Sequence, residues 1–233
     1  MTDAPSPDSL TTRIREGFDR IAHVQRANLW TAAGKVGLNP AQAQVLGLLA
    51  RRPAGMRQKD IAAHLAVSGP SIADTIAALM RKALVSRAPD PSDARAAIVR
   101  ATAEGLRLGH EVTECTSQLD LALAALPEAA LEQLLMAQVH IIRHLQEAGA
   151  IPLQRMCVTC CHFRPHAHPH ADKPHHCAFV DAAIGSRDLR LDCGEHKPAD
   201  PVVQAATWTT FTKGSPTLQA QPSTREGKHH HEN

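Results

Sequence analysis

The sequence predicts a mainly α-helical protein that carries a small module rich in cysteine and histidine towards its C-terminal end. Hydrophobic residues make up 43% of the 233 residues, but aromatic residues make up only 3%, and tyrosine does not occur. A core of Leu, Ala, Val and Ile is typical of helical packing, and long segments repeat these residues at helical spacing. Five of the six cysteines lie between residues 156 and 196, which sets that segment apart from the helical part.

Composition also limits the classes of function. The net charge is +2 with histidine neutral, so any binding of nucleic acid must depend on local basic residues. We find no apolar run long enough to span a membrane and no signal peptide. We therefore expect a cytoplasmic protein with no membrane partner, in which six cysteines favour metal or redox chemistry over structural disulfides.

Two short helices are predicted within residues 57–85. Ile61 and Leu65 lie four residues apart in the first, and the second repeats apolar residues at helical spacing from position 72 onwards. Between them, Ser68 is a suitable N-cap, and Pro70 is tolerated in a first helical turn, where a backbone N–H would have no partner. This pattern predicts a helix-turn-helix whose second helix presents its N-terminal end to DNA.

Two short strands are predicted next, at residues 85–87 and 96–100. They flank a polar tip, residues 88–95, which is rich in Pro and Asp. A two-stranded ribbon after a helix-turn-helix is a wing, so the sequence predicts a winged helix-turn-helix. An ordinary helical hairpin followed by a loop is the alternative.

Residues 38–105 resemble the MarR family of bacterial winged-helix repressors. The resemblance is carried by LNPAQAQVLGLLARRP, by QKDIAAHLAVSGPSIADTIAALMRKALVSR, by DPSDARAAIV and by TAEG at the start of the helix after the wing. The family's Asp-x-Arg motif matches Asp93 and Arg95, which implies that Arg95 enters the minor groove of DNA. Two positions depart from the family pattern: Ala83 replaces a usual glycine before the wing, and Asp74 lies on the face that reads DNA.

Candidate DNA-binding residues follow from the helix-turn-helix and the resemblance together. They are Ser68, Pro70, Ser71, Asp74, Thr75, Arg81, Arg87, Asp93 and Arg95. Among those of the recognition helix, Ser68, Ser71, Asp74 and Thr75 are expected near base edges. Arg95 is expected in the minor groove. Other local basic residues are Arg57, Lys59, Lys82 and Arg100. The expected partner is double-stranded DNA.

Long helices are predicted on both sides of the winged helix. We divide the chain into an N-terminal dimerisation helix (1–36), the DNA-binding domain (37–105), C-terminal dimerisation helices (106–150), a cysteine module (151–197) and a disordered tail (198–233). Within the third segment, one helix is predicted over residues 102–126 and another over 127–147. The latter has an apolar stripe that a small winged helix cannot cover, formed by Leu131, Leu135, Val139 and Ile142.

The apolar stripe could pack on its own subunit, but the MarR resemblance implies that the first and last helices intertwine with those of a second subunit. A twofold homodimer would place two recognition helices about 34 Å apart and require a near-palindromic operator.

The cysteine module offers four well-spaced thiols, at Cys157, Cys160, Cys177 and Cys193, with Cys161 spare. About forty residues with few large apolar side chains rarely fold alone, and a metal centre would supply the missing stability. The alternative is that these are reduced cysteines in a flexible extension. Cys115, alone in a predicted helix, is expected to be a small buried hydrophobe.

The identity of the metal stays open between two candidates. The cysteine spacing, with Phe163 and Phe179 after the second and third cysteines, is similar to the high-potential iron–sulfur proteins, which implies a 4Fe-4S cluster. Those proteins lack the His-rich insert that this chain carries at residues 162–176. Zinc is the alternative, and its ligand set could include Cys161, His162, His175, His176 or His196.

These features favour a dimeric, sequence-specific transcriptional regulator and not an enzyme, since the sequence offers no nucleophile–base constellation, phosphate loop or paired carboxylates. We expect a repressor whose DNA affinity is modulated by an iron–sulfur cluster that senses redox state, oxygen, nitric oxide or iron. One alternative is a MarR-like repressor with a structural zinc site that responds to a small organic ligand. Another is an electron-transfer protein whose helices are only a scaffold.

Overall fold

A computed structural model of the chain describes residues 9–168 and 172–213. Its helices are α1 (Leu10–Lys35), α2 (Pro40–Ala50), α3 (Gln58–His64), α4 (Gly69–Arg81), α5 (Ala103–Thr113), α6 (Gln118–Ala124), α7 (Glu128–Glu147) and α8 (Pro201–Lys213). Its strands are β1 (Met56–Arg57), β2 (Val85–Asp90), β3 (Asp93–Ala101), β4 (Phe163–Arg164), β5 (His175–Cys177) and β6 (Ala182–Ile184). None of the helices in these ranges is long and apolar enough to cross a membrane.

The described residues form two compact units. The first contains the residues up to Leu131 together with Leu145–Pro152, and the second contains Glu132–His144 together with the residues from Leu153 onwards. The boundary therefore runs through α7, and the larger part of that helix belongs with the cysteine module. This differs from the predicted division, which placed all of residues 106–150 in a separate dimerisation segment.

The first unit is a winged helix-turn-helix built around the apolar helix α2. Asn39 and Gln42 form a capping box at its start, with the Asn39 side chain accepting from the Gln42 backbone N–H at 2.9 Å. The side chains of Leu46, Ile61 and Leu79 are fully buried and join α2, α3 and α4 in one core. The predicted helix-turn-helix and wing are both present.

The wing differs from the predicted two-stranded ribbon in length and in strand number. The strands β2 and β3 extend to Asp90 and Asp93, so the tip between them is only two residues, and β1 adds a third antiparallel strand in the order β1-β3-β2. The sequence did not indicate β1 because two residues carry no readable periodicity.

A close approach explains the glycine of the TAEG segment at the start of α5. A Cβ atom added to Gly105 would lie 1.9 Å from the Leu84 carbonyl oxygen, so no larger residue fits there. The predicted single helix over residues 102–126 is wrong. It is interrupted after Thr113, and Ser117 starts α6 with a second capping box, in which its backbone N–H donates to Asp120 at 2.7 Å.

The second unit is a small sheet, β4-β5-β6, packed with helices α7 and α8 around an apolar cluster. The cluster consists of Met136, Val139, Met156, Val158, Phe163, Leu189 and Phe211. Val139 is 1% exposed, and Ile142 packs against the same cluster. These two members of the predicted dimerisation stripe are therefore covered by their own chain, which corrects the expectation that a partner covers them.

The predicted disordered tail is also corrected over part of its length. Residues Pro201–Lys213 form α8, and Phe211 is 1% exposed within the apolar cluster. The sequence does contain an indication of this helix, the aromatic pair Trp208 and Phe211 at helical spacing. The overall polar composition of the segment outweighed it in the prediction. The remainder of that predicted segment, 214–233, lies outside the described residues.

Candidate DNA-binding surface and cysteine site

Helix α4 begins at the turn that the sequence predicted. Ser68 is its N-cap and accepts from the Ser71 backbone N–H at 3.3 Å, while Pro70 occupies the first turn. Ile72, Ile76 and Leu79 bury one face of the helix. The opposite face of the helix is exposed to solvent and carries Ser71 and Asp74.

Some polar side chains of α4 already form hydrogen bonds within the helix, and others do not. The Thr75 hydroxyl donates to the Ser71 carbonyl at 2.8 Å, and the Ser68 and Ser71 hydroxyls lie 2.8 Å apart. Asp74 is also exposed on this side of the helix. A carboxylate there would repel phosphate and accept from a base donor such as a cytosine amino group.

The tip of the wing is stabilised by an ion pair that the sequence did not reveal. Arg57, on β1, donates from Nε to Asp90, and Ser92 donates to the same carboxylate from its backbone N–H and its hydroxyl. These hydrogen bonds, those from Ser92 first, lower the pKa of Asp90 to about 2. Arg57 therefore stabilises the wing tip and is not an uncommitted phosphate contact.

Asp93 and Arg95 have different roles at the tip. Asp93 accepts from the Arg95 backbone N–H at 3.1 Å, and its other carboxylate oxygen lies 3.7 Å from Arg57 Nη1. Asp93 thus fixes the local backbone, whereas the Arg95 side chain is exposed.

The other basic residues divide between internal contacts and open surface. Lys82 donates to the Gly37 carbonyl at 2.8 Å, and Arg100 donates to the Ala54 carbonyl at 3.0 Å. Arg87 is exposed and donates to Gln58 at 2.9 Å. Lys59 and Arg81 are exposed as well. The exposed positive charge of this unit therefore includes both the recognition helix and the wing.

A cavity of about 580 Å³ lies in the first unit, between α1, α2 and α5. Its wall is mixed, with the apolar Leu29 and Leu48 beside the basic Lys35 and Arg51. Cys115 also lines it and is exposed, so the expectation of a buried Cys115 is wrong. The physical reason is the break after α5, which places this residue in a connection and not inside a helix.

The four predicted thiols of the cysteine module line one cavity of about 590 Å³ in the second unit. A 3₁₀ turn, Cys157–Thr159, brings Cys157 and Cys160 to the same wall, and the Cys160 backbone N–H donates to the Cys157 carbonyl at 2.9 Å. Cys177 ends β5, and Cys193 is tied by its backbone N–H to the Arg155 carbonyl at 2.9 Å.

Cys161 lies apart from these four thiols. It lines a separate open groove with residues of α8, and its backbone N–H donates to the Lys197 carbonyl at 2.8 Å. Of the two aromatic residues that the sequence associated with the cysteines, Phe163 is buried and Phe179 is half-exposed, and both line the cavity of the four thiols.

The environment of Cys157 is apolar. Burial raises the pKa of its thiol to about 11, and the neighbouring Cys193, Cys177 and Cys160 act in the same direction. A backbone N–H, from Arg190, donates to Cys157 Sγ at 3.3 Å and opposes the rise. Sequence analysis missed this donor because a backbone group leaves no signal in residue type. A thiol held protonated in this way is a poor nucleophile.

The histidines of the module are distributed unevenly around the thiols. Among His162, His175, His176 and His196, only His162 lines the cavity. His175 is 2% exposed and accepts from the His166 backbone N–H at 3.2 Å, and burial lowers its pKa to about 4. Within the described ranges, no three His, Cys, Asp or Glu side chains are arranged so that they could hold a metal ion.

The match to a family model supports the winged helix. Residues 36–96 match the model of the MarR family, so the predicted resemblance is confirmed over that segment. A MepR–DNA complex from S. aureus is 25% identical, with a TM-score of 0.48, over 56% of this chain and 97% of that chain. CouR from Rhodococcus jostii RHA1, bound to p-coumaroyl-CoA, is 24% identical, with a TM-score of 0.47, over 63% of this chain and 97% of that chain. No curated protein sequence matches the chain.

Proposed function

We propose that the chain is a homodimeric transcriptional repressor that binds a near-palindromic DNA operator and carries a 4Fe-4S cluster that modulates its affinity. The observation that carries the proposal is the pairing of a MarR-type winged helix with a cavity lined by four cysteines from three separate segments of the chain.

DNA binding is supported by the exposed polar face of α4 and by the wing. In a winged helix, the recognition helix enters the major groove, and a wing arginine gains from the concentrated negative potential of the minor groove. Arg95 is exposed and Asp93 holds its backbone, so its guanidinium can extend from a fixed point.

Dimerisation is supported by the apolar residues that α1 leaves exposed. They recur three and four residues apart and comprise Leu10, Ile14, Phe18, Ile21 and Val24, each more than 40% exposed. A continuous apolar stripe of this length on one helix is characteristic of an interaction surface. A second copy of the chain would cover it and would present two recognition helices to the operator.

The cysteine site fits an iron–sulfur cluster for two reasons. Each thiolate of a four-cysteine set ligates a different iron, so the thiols need not converge on one point as zinc ligands do, with bonds of about 2.3 Å. The cavity of about 590 Å³ has room for such a guest.

The cluster could influence DNA binding through α7. Met136 and Val139 of this helix pack in the same apolar cluster as Met156 and Val158, which flank Cys157. Loss of the iron–sulfur cluster would loosen that packing and shift α7, both ends of which belong to the first unit, so the two states would differ in operator affinity.

The cluster is tested by replacing each of the five module cysteines with serine. We expect variants at Cys157, Cys160, Cys177 and Cys193 to lose iron, sulfide and the brown colour of protein purified without oxygen, whereas Cys161→Ser keeps all three. A colourless wild-type protein that contains zinc would contradict the cluster. So would a requirement for Cys161 in a protein that tolerates the loss of Cys177.

DNA binding is tested with Arg95→Ala. We expect the binding free energy for the operator to weaken by roughly 1–3 kcal/mol, because one minor-groove contact is lost. The slope of the logarithm of the binding constant against the logarithm of salt concentration should decrease by about 1, because one fewer counterion is released. The measurement is a titration of labelled operator at several salt concentrations. Lys213→Ala, which removes an exposed cation from α8, is the control; equal affinity of both variants would exclude the wing from DNA binding.

A second candidate signal is a small organic ligand in the cavity of the first unit. The mixed wall of that cavity, with Lys35 and Arg51 beside apolar side chains, would suit an amphipathic anion. In that case the cysteine module would be a structural metal site, and operator release would require the ligand and not a change of the cluster.

A further inference from the structure

His162 presents an unsatisfied nitrogen in the wall of the cysteine cavity. Its ring lies 5.5 Å, between centroids, from that of Phe179, and both residues line the cavity. The Nε2 atom of His162 is buried and has no hydrogen-bond partner in the described part of the chain. Buried nitrogens without a partner are rare in folded proteins, and because this residue also lines the cysteine cavity, a guest in that cavity can supply the partner.

The other histidines near the cysteines already have partners. His176 lies 3.2 Å from His168 on one ring nitrogen and 3.2 Å from Asp181 on the other. His196 Nε2 lies 2.9 Å from the Thr159 hydroxyl. Neither residue lines the cavity. His162 therefore differs from them both in position and in its uncommitted nitrogen.

We propose that His162 donates its Nε2–H to a sulfur of the cluster held by Cys157, Cys160, Cys177 and Cys193, and so raises the reduction potential of that cluster. The inference rests on the proposed function. His162 is a tuning residue and not a ligand, since four thiolates already complete the ligand set. A reduced cluster carries one more negative charge, so a hydrogen bond to its sulfur stabilises the reduced state more than the oxidised state.

The backbone of the site supports this assignment. The His162 carbonyl accepts from the Ala178 backbone N–H at 2.9 Å, which joins the segment after Cys160 to the segment after Cys177. The Arg190 backbone N–H already donates to Cys157 Sγ. The cavity would then offer the cluster a backbone donor on one wall and an imidazole donor on another.

The test compares full-length proteins purified without oxygen: wild type, His162→Leu, His162→Gln and His140→Leu. Iron and sulfide contents are measured first, and the midpoint potential is then measured by a spectroscopic redox titration. We expect His162→Leu to keep its iron and sulfide but to shift the reduced-to-oxidised ratio at fixed potential about tenfold towards the oxidised form, or about 59 mV for one electron. His162→Gln should restore most of the potential, because the glutamine amide can donate in place of the imidazole.

His140 is the matched control. Its Nε2 atom is also buried without a partner among the described residues, but its ring packs against Trp208 and does not line the cavity. Its replacement should leave the potential unchanged. An unchanged potential in His162→Leu overturns the proposal, and so does a loss of iron that equals the loss in Cys157→Ser, which would make His162 a ligand. A wild-type protein without iron and sulfide overturns the cluster itself, and this outcome is recognised before any potential is measured.

Discussion

At the scale of single residues, Ala83 shows how one departure from a family pattern affects the backbone. Its φ angle is +56°, in the left-handed region that favours glycine. The conformation closes α4: the Ala83 backbone N–H donates to Met80 at 2.9 Å, and that of Leu84 donates to Leu79 at 3.0 Å. The chain therefore keeps the helix ending for which the family uses glycine, but with a side chain that strains it.

Glycine at this position should stabilise the protein. We expect Ala83→Gly to raise the free energy of unfolding of the first unit by about 1 kcal/mol, because relief of left-handed strain exceeds the entropy that glycine adds to the unfolded chain. Urea unfolding followed by circular dichroism measures the change. Ala77→Gly, in the interior of α4, should instead destabilise by about 1 kcal/mol; destabilisation by both variants would mean that Ala83 is not strained.

Contacts between residues close in the sequence could be predicted at this scale, whereas contacts between distant residues could not. The caps at Asn39 and Ser68 depend on residues three positions away, so a short stretch of sequence specifies them. The pair of Arg57 and Asp90 joins residues 33 positions apart across the wing. Its formation depends on the three-stranded sheet, and no periodicity within either segment indicates it.

At the scale of elements, α8 is where composition and structure disagree most. Its Thr-rich sequence has little amphipathic character, and composition therefore predicts disorder there. However, Phe211 packs edge-on against Phe163, with ring centroids 5.9 Å apart, and Arg143 lies over the Trp208 ring at 5.9 Å. Two aromatic anchors thus hold the helix, and a small unit cannot lose such contacts without consequence.

The contribution of α8 can be measured with Phe211→Ala. We expect the second unit to lose roughly 3–5 kcal/mol of stability, the usual cost of removing a buried aromatic side chain. Hydrogen exchange of β4–β6 amides should show the loss as faster opening. Val202→Ala, at a position 77% exposed on the same helix, should have little effect. Equal protection in both variants would show that α8 does not support the module.

At the scale of the whole molecule, the sequence predicted the winged helix and the grouping of the cysteines better than it predicted how the long helices pack. The spacing of the cysteines singled out the four thiols that line the cavity. This was possible because a tight turn and short strands limit how far apart thiols at such spacing can lie. The sequence could not assign α7, whose apolar residues face several directions: Val139 is buried within the chain, whereas Ile141 is 41% exposed. Periodicity reports that a helix has an apolar face but does not report what covers it.

The exposed stripe of α1 therefore gives the more direct test of assembly. Phe18 lies at the middle of that stripe and is 42% exposed in a single chain. We expect Phe18→Glu to convert the proposed dimer to monomers, because a carboxylate buried in an apolar interface loses its hydration without gaining a partner. Sedimentation equilibrium measures the mass, and operator binding should weaken in parallel, since one recognition helix alone contacts half a site. His23→Glu adds the same charge on the opposite side of α1 and should leave the dimer intact. If Phe18→Glu still sediments as a dimer, the interface lies elsewhere and α1 must be covered in another way.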